Sequence, residues 1–133
     1  MNKTEVKYPD KIASTGSYSA GVVCDGWLYV SGHASQDFRT GATIHGSIQE
    51  ETARTMRHIG VVLAEAGATF DDVVKCTCHL ASIGDFAGFD EAYTKFFSGV
   101  MPARTTVQSG LGDGIKVEID AIARIPNTKG TQS

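Results

Sequence analysis

The chain has 133 residues, of which 41% are hydrophobic and 20% charged, and a formal charge of −3. That length and balance suit one globular domain with a buried core and argue against disorder. The acidic balance supplies no basic footprint for a phosphate backbone. No run reaches the ~18 apolar residues of a membrane span, so neither nucleic acid nor a membrane is an expected partner.

The polar lead MNKTEVKYPDK lacks the apolar core of a signal peptide. The three cysteines, an odd count with Cys76 and Cys78 two apart, do not resemble a disulfide framework. Both features predict a cytoplasmic, reduced protein. Residues 19–24 then read as a strand, Asp25-Gly26 as a tight turn, and residues 27–31 as the hairpin partner. Residues 32–46 read as a loop.

Ser47-Ile-Gln-Glu50 fits a capping box, and Ile48, Thr52, Thr55, Ile59, Val62 and Ala66 follow at helical spacing up to Gly67. Residues 73–80 alternate as a strand. A second helix is predicted over 85–98, with Phe86, Phe89, Tyr93 and Phe96 forming an aromatic face, and Gly99 ends it. A fourth strand follows in the stretch Met101-Pro-Ala-Arg-Thr-Thr-Val-Gln, and Gly110-Leu-Gly-Asp-Gly114 makes a turn. A fifth strand spans 115–125, with Ile115, Val117, Ile119 and Ala121 on one face and Lys116, Glu118 and Asp120 on the other. From Pro126 onward the chain reads as a frayed tail.

The order is ββαβαββ, an α+β domain with two helices packed on one face of a sheet. It is expected to be a single domain over 1–133 with its ordered core at about 17–125. The uncovered face is expected to carry Arg104, Thr106, Gln108 and Glu118 with apolar residues such as Ile122 among them. A mixed face of that kind fits an oligomer interface or a site better than plain solvent-facing sheet.

Several motifs are weaker than they first look. In Cys76-Thr-Cys-His79 the cysteines share a strand face while His79 points away, and no second ligand pair exists, so core cysteines outweigh a metal site. Gly110–Gly114 joins two strands and lacks a phosphate-loop pattern. Ser31 has no nucleophile-elbow context. Arg104 and Glu118 are stronger candidates. They lie on successive strands joined by a short turn, where hairpin pairing would bring them near each other. Arginine's planar fork matches a small carboxylate bidentately, and Glu118 is suited to orienting a water. A simple cross-strand ion pair stands open beside that reading.

The segments SYSAGV, WLYVSGH, ETARTMRHIGVVLAEAGATFDDVVKCTCHL, DFAGFDEAYTKFF, MPART and VEIDAIA run in order along residues 17–123. In that order and spacing the chain resembles the YjgF family, also called the Rid (reactive intermediate deaminase) family. The resemblance implies a chorismate-mutase-like fold, a homotrimer with clefts between subunits, and no metal or organic cofactor. It implies hydrolysis of enamines and imines of small 2-oxo acids, such as 2-aminoacrylate and 2-iminopropanoate, with release of ammonia. Carried over by position, Arg104 would bind the substrate carboxylate, Glu118 would hold the attacking water, and the hydroxyl of Tyr18 would hydrogen-bond at the site. Ser31, Gly32, His33, Phe89, Asp90 and Thr106 would surround the substrate.

The chain departs from the family pattern at several of these positions. Thr106 stands where the best-known deaminases often have cysteine, Asp90 where they have asparagine, and His33 where glutamine is usual. GSYSAG replaces GPYSQA, and the turn after Gln108 lacks Leu-Pro. These changes keep the carboxylate anchor and alter the pocket around it, which leaves room for a longer or more polar acid such as an aminomuconate-like intermediate. A non-catalytic trimer that binds small carboxylates as a sensor is a competing expectation. A ribonuclease or translation inhibitor is a third, disfavoured by the acidic charge and the lack of a basic-aromatic stripe.

Overall fold

The computed structural model describes residues 2–10 and 16–127; most of the tail expected from Pro126 lies outside the described residues. Six strands form one mixed sheet: β1 (Lys3–Val6), β2 (Gly21–Cys24), β3 (Trp27–His33), β4 (Val73–Leu80), β5 (Ala103–Gln108) and β6 (Val117–Arg124). Their spatial order is β1-β2-β3-β6-β4-β5. β4 and β5 run parallel, and the other neighbours run antiparallel. Two helices, α1 (Ile48–Glu65) and α2 (Phe86–Tyr93), share one core with the sheet.

Local chemistry accounts for these elements. Asp25 and Gly26 both take positive φ, 54° and 81°, which is the tight-turn geometry whose twist matches a β-hairpin. Ser47 caps α1: its side chain accepts from the Glu50 amide while the Glu50 carboxylate accepts from the Ser47 amide. At the far end Gly67 adopts φ 79°, and the amides of Gly67 and Ala68 donate to the carbonyls of Ala64 and Leu63. A glycine in that left-handed position closes the helix without steric cost. α2 is shorter than the sequence pattern suggests, giving way after Tyr93 to a 3₁₀ turn over Thr94–Phe96.

The core lies between the helices and the sheet. Leu28, Met56, Ile59, Leu63, Leu80, Phe89 and Ile119 are fully buried there, each contributing about 1.5–3 kcal/mol of transfer free energy. None of the described helices is long and apolar enough to cross a membrane.

Three further expectations change. The polar lead forms the edge strand β1, whose Val6 is buried while Lys3, Thr4 and Glu5 are exposed. β5 and β6 do not pair as a hairpin, because β4 inserts between them and bonds to both. Finally, Arg104, Thr106 and Gln108 do not share a face with Glu118. They stand opposite Cys76, Cys78 and Leu80, the buried helix-side residues of β4, whereas Glu118 stands opposite His79 on the uncovered side. Directly paired residues point the same way, so the pairing with β4 decides the face.

Candidate active site

The uncovered side carries an acidic half-site. Tyr18, Ser31, Gly32 and Glu118 line a cavity of about 380 Å³. A bulge between Val30 and His33 breaks the β3–β6 register at Ser31 and Gly32 and bends the backbone there. The Ser31 hydroxyl donates to the Ser19 carbonyl at 2.5 Å, and its amide donates to the Ala20 carbonyl at 3.0 Å. These bonds fasten the residues that follow Tyr18, which is itself 53% exposed. Gly32 leaves room for Glu118, since a Cβ at residue 32 would lie 2.5 Å from the Glu118 carboxylate.

The edge strand β5 carries a basic half-site on the helix side. Arg104 Nη1 donates to Asp90 Oδ1 on α2 at 2.6 Å. Its guanidinium carbon lies 5.3 Å from the ring centres of Phe86 and Phe89 and 4.9 Å from that of Tyr93. Cation–π attraction to these rings, with one edge tied to Asp90, fixes the guanidinium before any ligand arrives. Two residues along β5, the Thr106 hydroxyl is buried without a hydrogen-bond partner.

The predicted residues therefore separate into two groups within one chain. Tyr18, Ser31, Gly32 and Glu118 come together, as do Arg104, Asp90, Thr106 and Phe89. Phe89 is fully buried and supports the guanidinium from behind. His33 pairs with Ile119 and points into the helix-side interior, where it lies 5.2 Å from the Phe38 ring. Arg104 and Glu118 are two strands apart and offset by three residues, roughly 14 Å between Cα atoms on standard strand spacing. One chain does not close a site between them.

Cys76 and Cys78 are buried, and burial pushes the Cys78 thiol up to about 12, so it stays protonated and serves as packing. His79 points to the other face and hydrogen-bonds Ser109 at 2.8 Å. Desolvation also raises the carboxyl of Asp120, which sits on the same uncovered side.

Sequence reasoning missed Glu51. Its side chain is wholly buried and accepts from the Gly46 amide at 3.1 Å, the Lys116 amide at 3.0 Å and Lys116 Nζ at 3.3 Å. It thereby ties the loop before α1 to the chain two residues ahead of Glu118. The signal was present, because Glu51 shares the inward stripe of Ile48, Thr52 and Thr55. Phe86 and Tyr93 were visible as an aromatic face, but not as the cradle of Arg104.

A mixed sheet with helices on one side and two polar half-sites defines a class, and comparison with known proteins identifies it. The family described as endoribonuclease L-PSP matches residues 8–125. A rat 2-iminobutanoate/2-iminopropanoate deaminase is 39% identical over 112 residues, covering 84% of this chain and 82% of the relative. The Rid-family protein YyfA of Yersinia pestis superposes with a TM-score of 0.86 at 31% identity, covering 93% of this chain and all of that one. TdcF of E. coli, solved with bound serine, superposes at 0.83 with 26% identity, covering 91% and 98%. The chain belongs to this family, the YjgF/Rid family.

Proposed function

We propose that the protein is an imine deaminase acting as a homotrimer, with each site assembled from Arg104 of one subunit and Tyr18, Ser31 and Glu118 of the next. The observation that carries this reading is the division of the polar residues into a fixed cationic half and an open acidic half, neither complete alone. The likeness to a deaminase of 2-iminobutanoate and 2-iminopropanoate supports the substrate class. The serine held by TdcF supports a small carboxylate as the ligand.

The uncovered sheet face is suited to self-association. Val22, Tyr29 and Ile122 stand side by side across β2, β3 and β6, with Tyr29 47% exposed. Burying such a patch against a second copy removes apolar area from water, and cyclic symmetry satisfies it in every subunit. The reading treats residues 1–133 as one domain with a core over about 17–125. It puts the protein in the cytoplasm, in keeping with three free cysteines.

In this mechanism Arg104 pairs with the carboxylate of a 2-iminio acid and fixes its orientation. Glu118 accepts a proton from water as the water oxygen bonds to the iminium carbon and the C=N electron pair moves to nitrogen. The tetrahedral carbinolamine then takes that proton on nitrogen. Its C–N bond breaks, ammonia leaves, and loss of the hydroxyl proton gives the 2-oxo acid. The iminium carbon is already electrophilic, so orientation and charge placement suffice without a covalent enzyme intermediate. Ser31 and Tyr18 supply hydroxyls at the water side of the cavity.

The test is ammonia release from 2-iminopropanoate generated in situ by a coupled amino-acid oxidase or dehydratase, with semicarbazide trapping of the remaining imine. Wild type should accelerate hydrolysis, and Arg104→Ala should lower kcat/KM by on the order of 10²–10³. Binding of carboxylates with no acceleration would replace this reading with that of a sensor.

A further inference from the structure

Asp90 is a second charge at the cationic half-site, and beyond steadying Arg104 it has no part in the mechanism above. Its Oδ1 holds Arg104 Nη1 at 2.6 Å, and its side chain is 47% exposed against 23% for Arg104. A guanidinium offers five N–H donors, so one bond to Asp90 leaves donors for a ligand. The aromatic rings of Phe86, Phe89 and Tyr93 occupy the flank of the guanidinium. An approaching ligand therefore meets a rigid couple of one positive and one negative group, not a bare cation.

We propose that Asp90 makes this site selective for zwitterions, with Arg104 taking the carboxylate of a small α-iminio or α-amino acid and Asp90 taking its cationic nitrogen. The inference rests on the carboxylate-binding role of Arg104 given above. In such acids the carboxylate and the nitrogen sit on adjacent carbons, about one hydrogen-bond length apart, as Arg104 and Asp90 do. A zwitterion laid across the couple meets an opposite charge at each end. A 2-oxo acid presents a carbonyl oxygen to Asp90 instead, an acceptor facing an anion, and is disfavoured. The couple would thus hold the iminium substrate and repel the product formed from it.

L-Alanine and pyruvate form a matched pair for the test, since they share a carbon skeleton and differ in ammonium against carbonyl. Calorimetric titration of the assembled protein should show alanine binding more tightly than pyruvate. Asp90→Asn preserves the side-chain shape and an acceptor for Arg104. It should weaken alanine and tighten pyruvate, moving the ratio of their dissociation constants by about tenfold or more. Equal changes for both ligands would overturn the inference, because Asp90 would then act only by holding Arg104 in place. Arg104→Ala separates the two levels: loss of both ligands supports the carboxylate anchor by itself. Failure of wild type to bind either ligand rejects the anchor, and the inference with it.

Discussion

Gly32 and Glu118 face each other so closely that a methyl group on residue 32 would sit 2.5 Å from the Glu118 carboxylate. The bulge in β3 brings the Gly32 backbone to this position, and the absent side chain leaves the carboxylate its place in the cavity. Gly32→Ala should therefore push Glu118 aside while the fold persists. If Glu118 holds the attacking water as proposed, a displacement near 1 Å is worth about 10² in rate. Steady-state kinetics should show the loss in kcat, with thermal unfolding little changed. Unaltered turnover would mean that Glu118 has slack the geometry does not show.

His58 links the chain near the N-terminus to the loop after β3. Its Nε2 bonds the Gln36 carbonyl at 2.8 Å, which accepts only, so Nε2 carries the proton and Nδ1 accepts from the Tyr8 hydroxyl at 3.0 Å. Tyr8 also stacks on Phe38 at 3.7 Å. Burial, aided by Arg54 and Arg57, lowers the pKa of His58 from 6.5 to about 4. The unfolded chain therefore binds a proton more readily than the folded one. The contribution to stability is present above pH 6.5 and is lost as pH falls from there toward 4. With partial solvent exposure the loss should be about 1–2 kcal/mol. Urea unfolding at pH 7.5 and pH 5 measures it, and His58→Gln should flatten that difference.

Glu51 is a buried carboxylate satisfied by two amides and an ammonium. Glu51→Ala strands those donors and should cost about 3–5 kcal/mol in chemical denaturation, while Glu51→Gln should cost less. The glutamine variant has a further use: if Glu51 steadies the start of β6, turnover should fall by more than the change in stability explains.

How much of this was legible in the sequence follows from how local each signal is. The Asp25-Gly26 turn, the Ser47/Glu50 capping box and the Gly67 stop depend on neighbours in the chain, and the structure has all three. The aromatic spacing of Phe86, Phe89 and Tyr93 marked a helix face correctly, though α2 ends earlier than expected. The period of two along β5 put Arg104, Thr106 and Gln108 together, but which side they face depends on β4, whose insertion between β5 and β6 is a long-range pairing. The same pairing separates Arg104 from Glu118. β1 was hidden because a four-residue edge strand with one buried side chain shows no alternation to read.

The central claim is that Arg104 and Glu118 act on one substrate from two different chains. Arg104→Ala and Glu118→Gln subunits, each inactive alone, should regain activity when unfolded together and reassembled in equal amounts. Random mixing puts an intact Arg104 beside an intact Glu118 in one site out of four, so the deaminase assay should return about a quarter of the wild-type rate. Recovery at that level supports a shared site; a mixture as inactive as its parents, although wild type survives the same treatment, contradicts it.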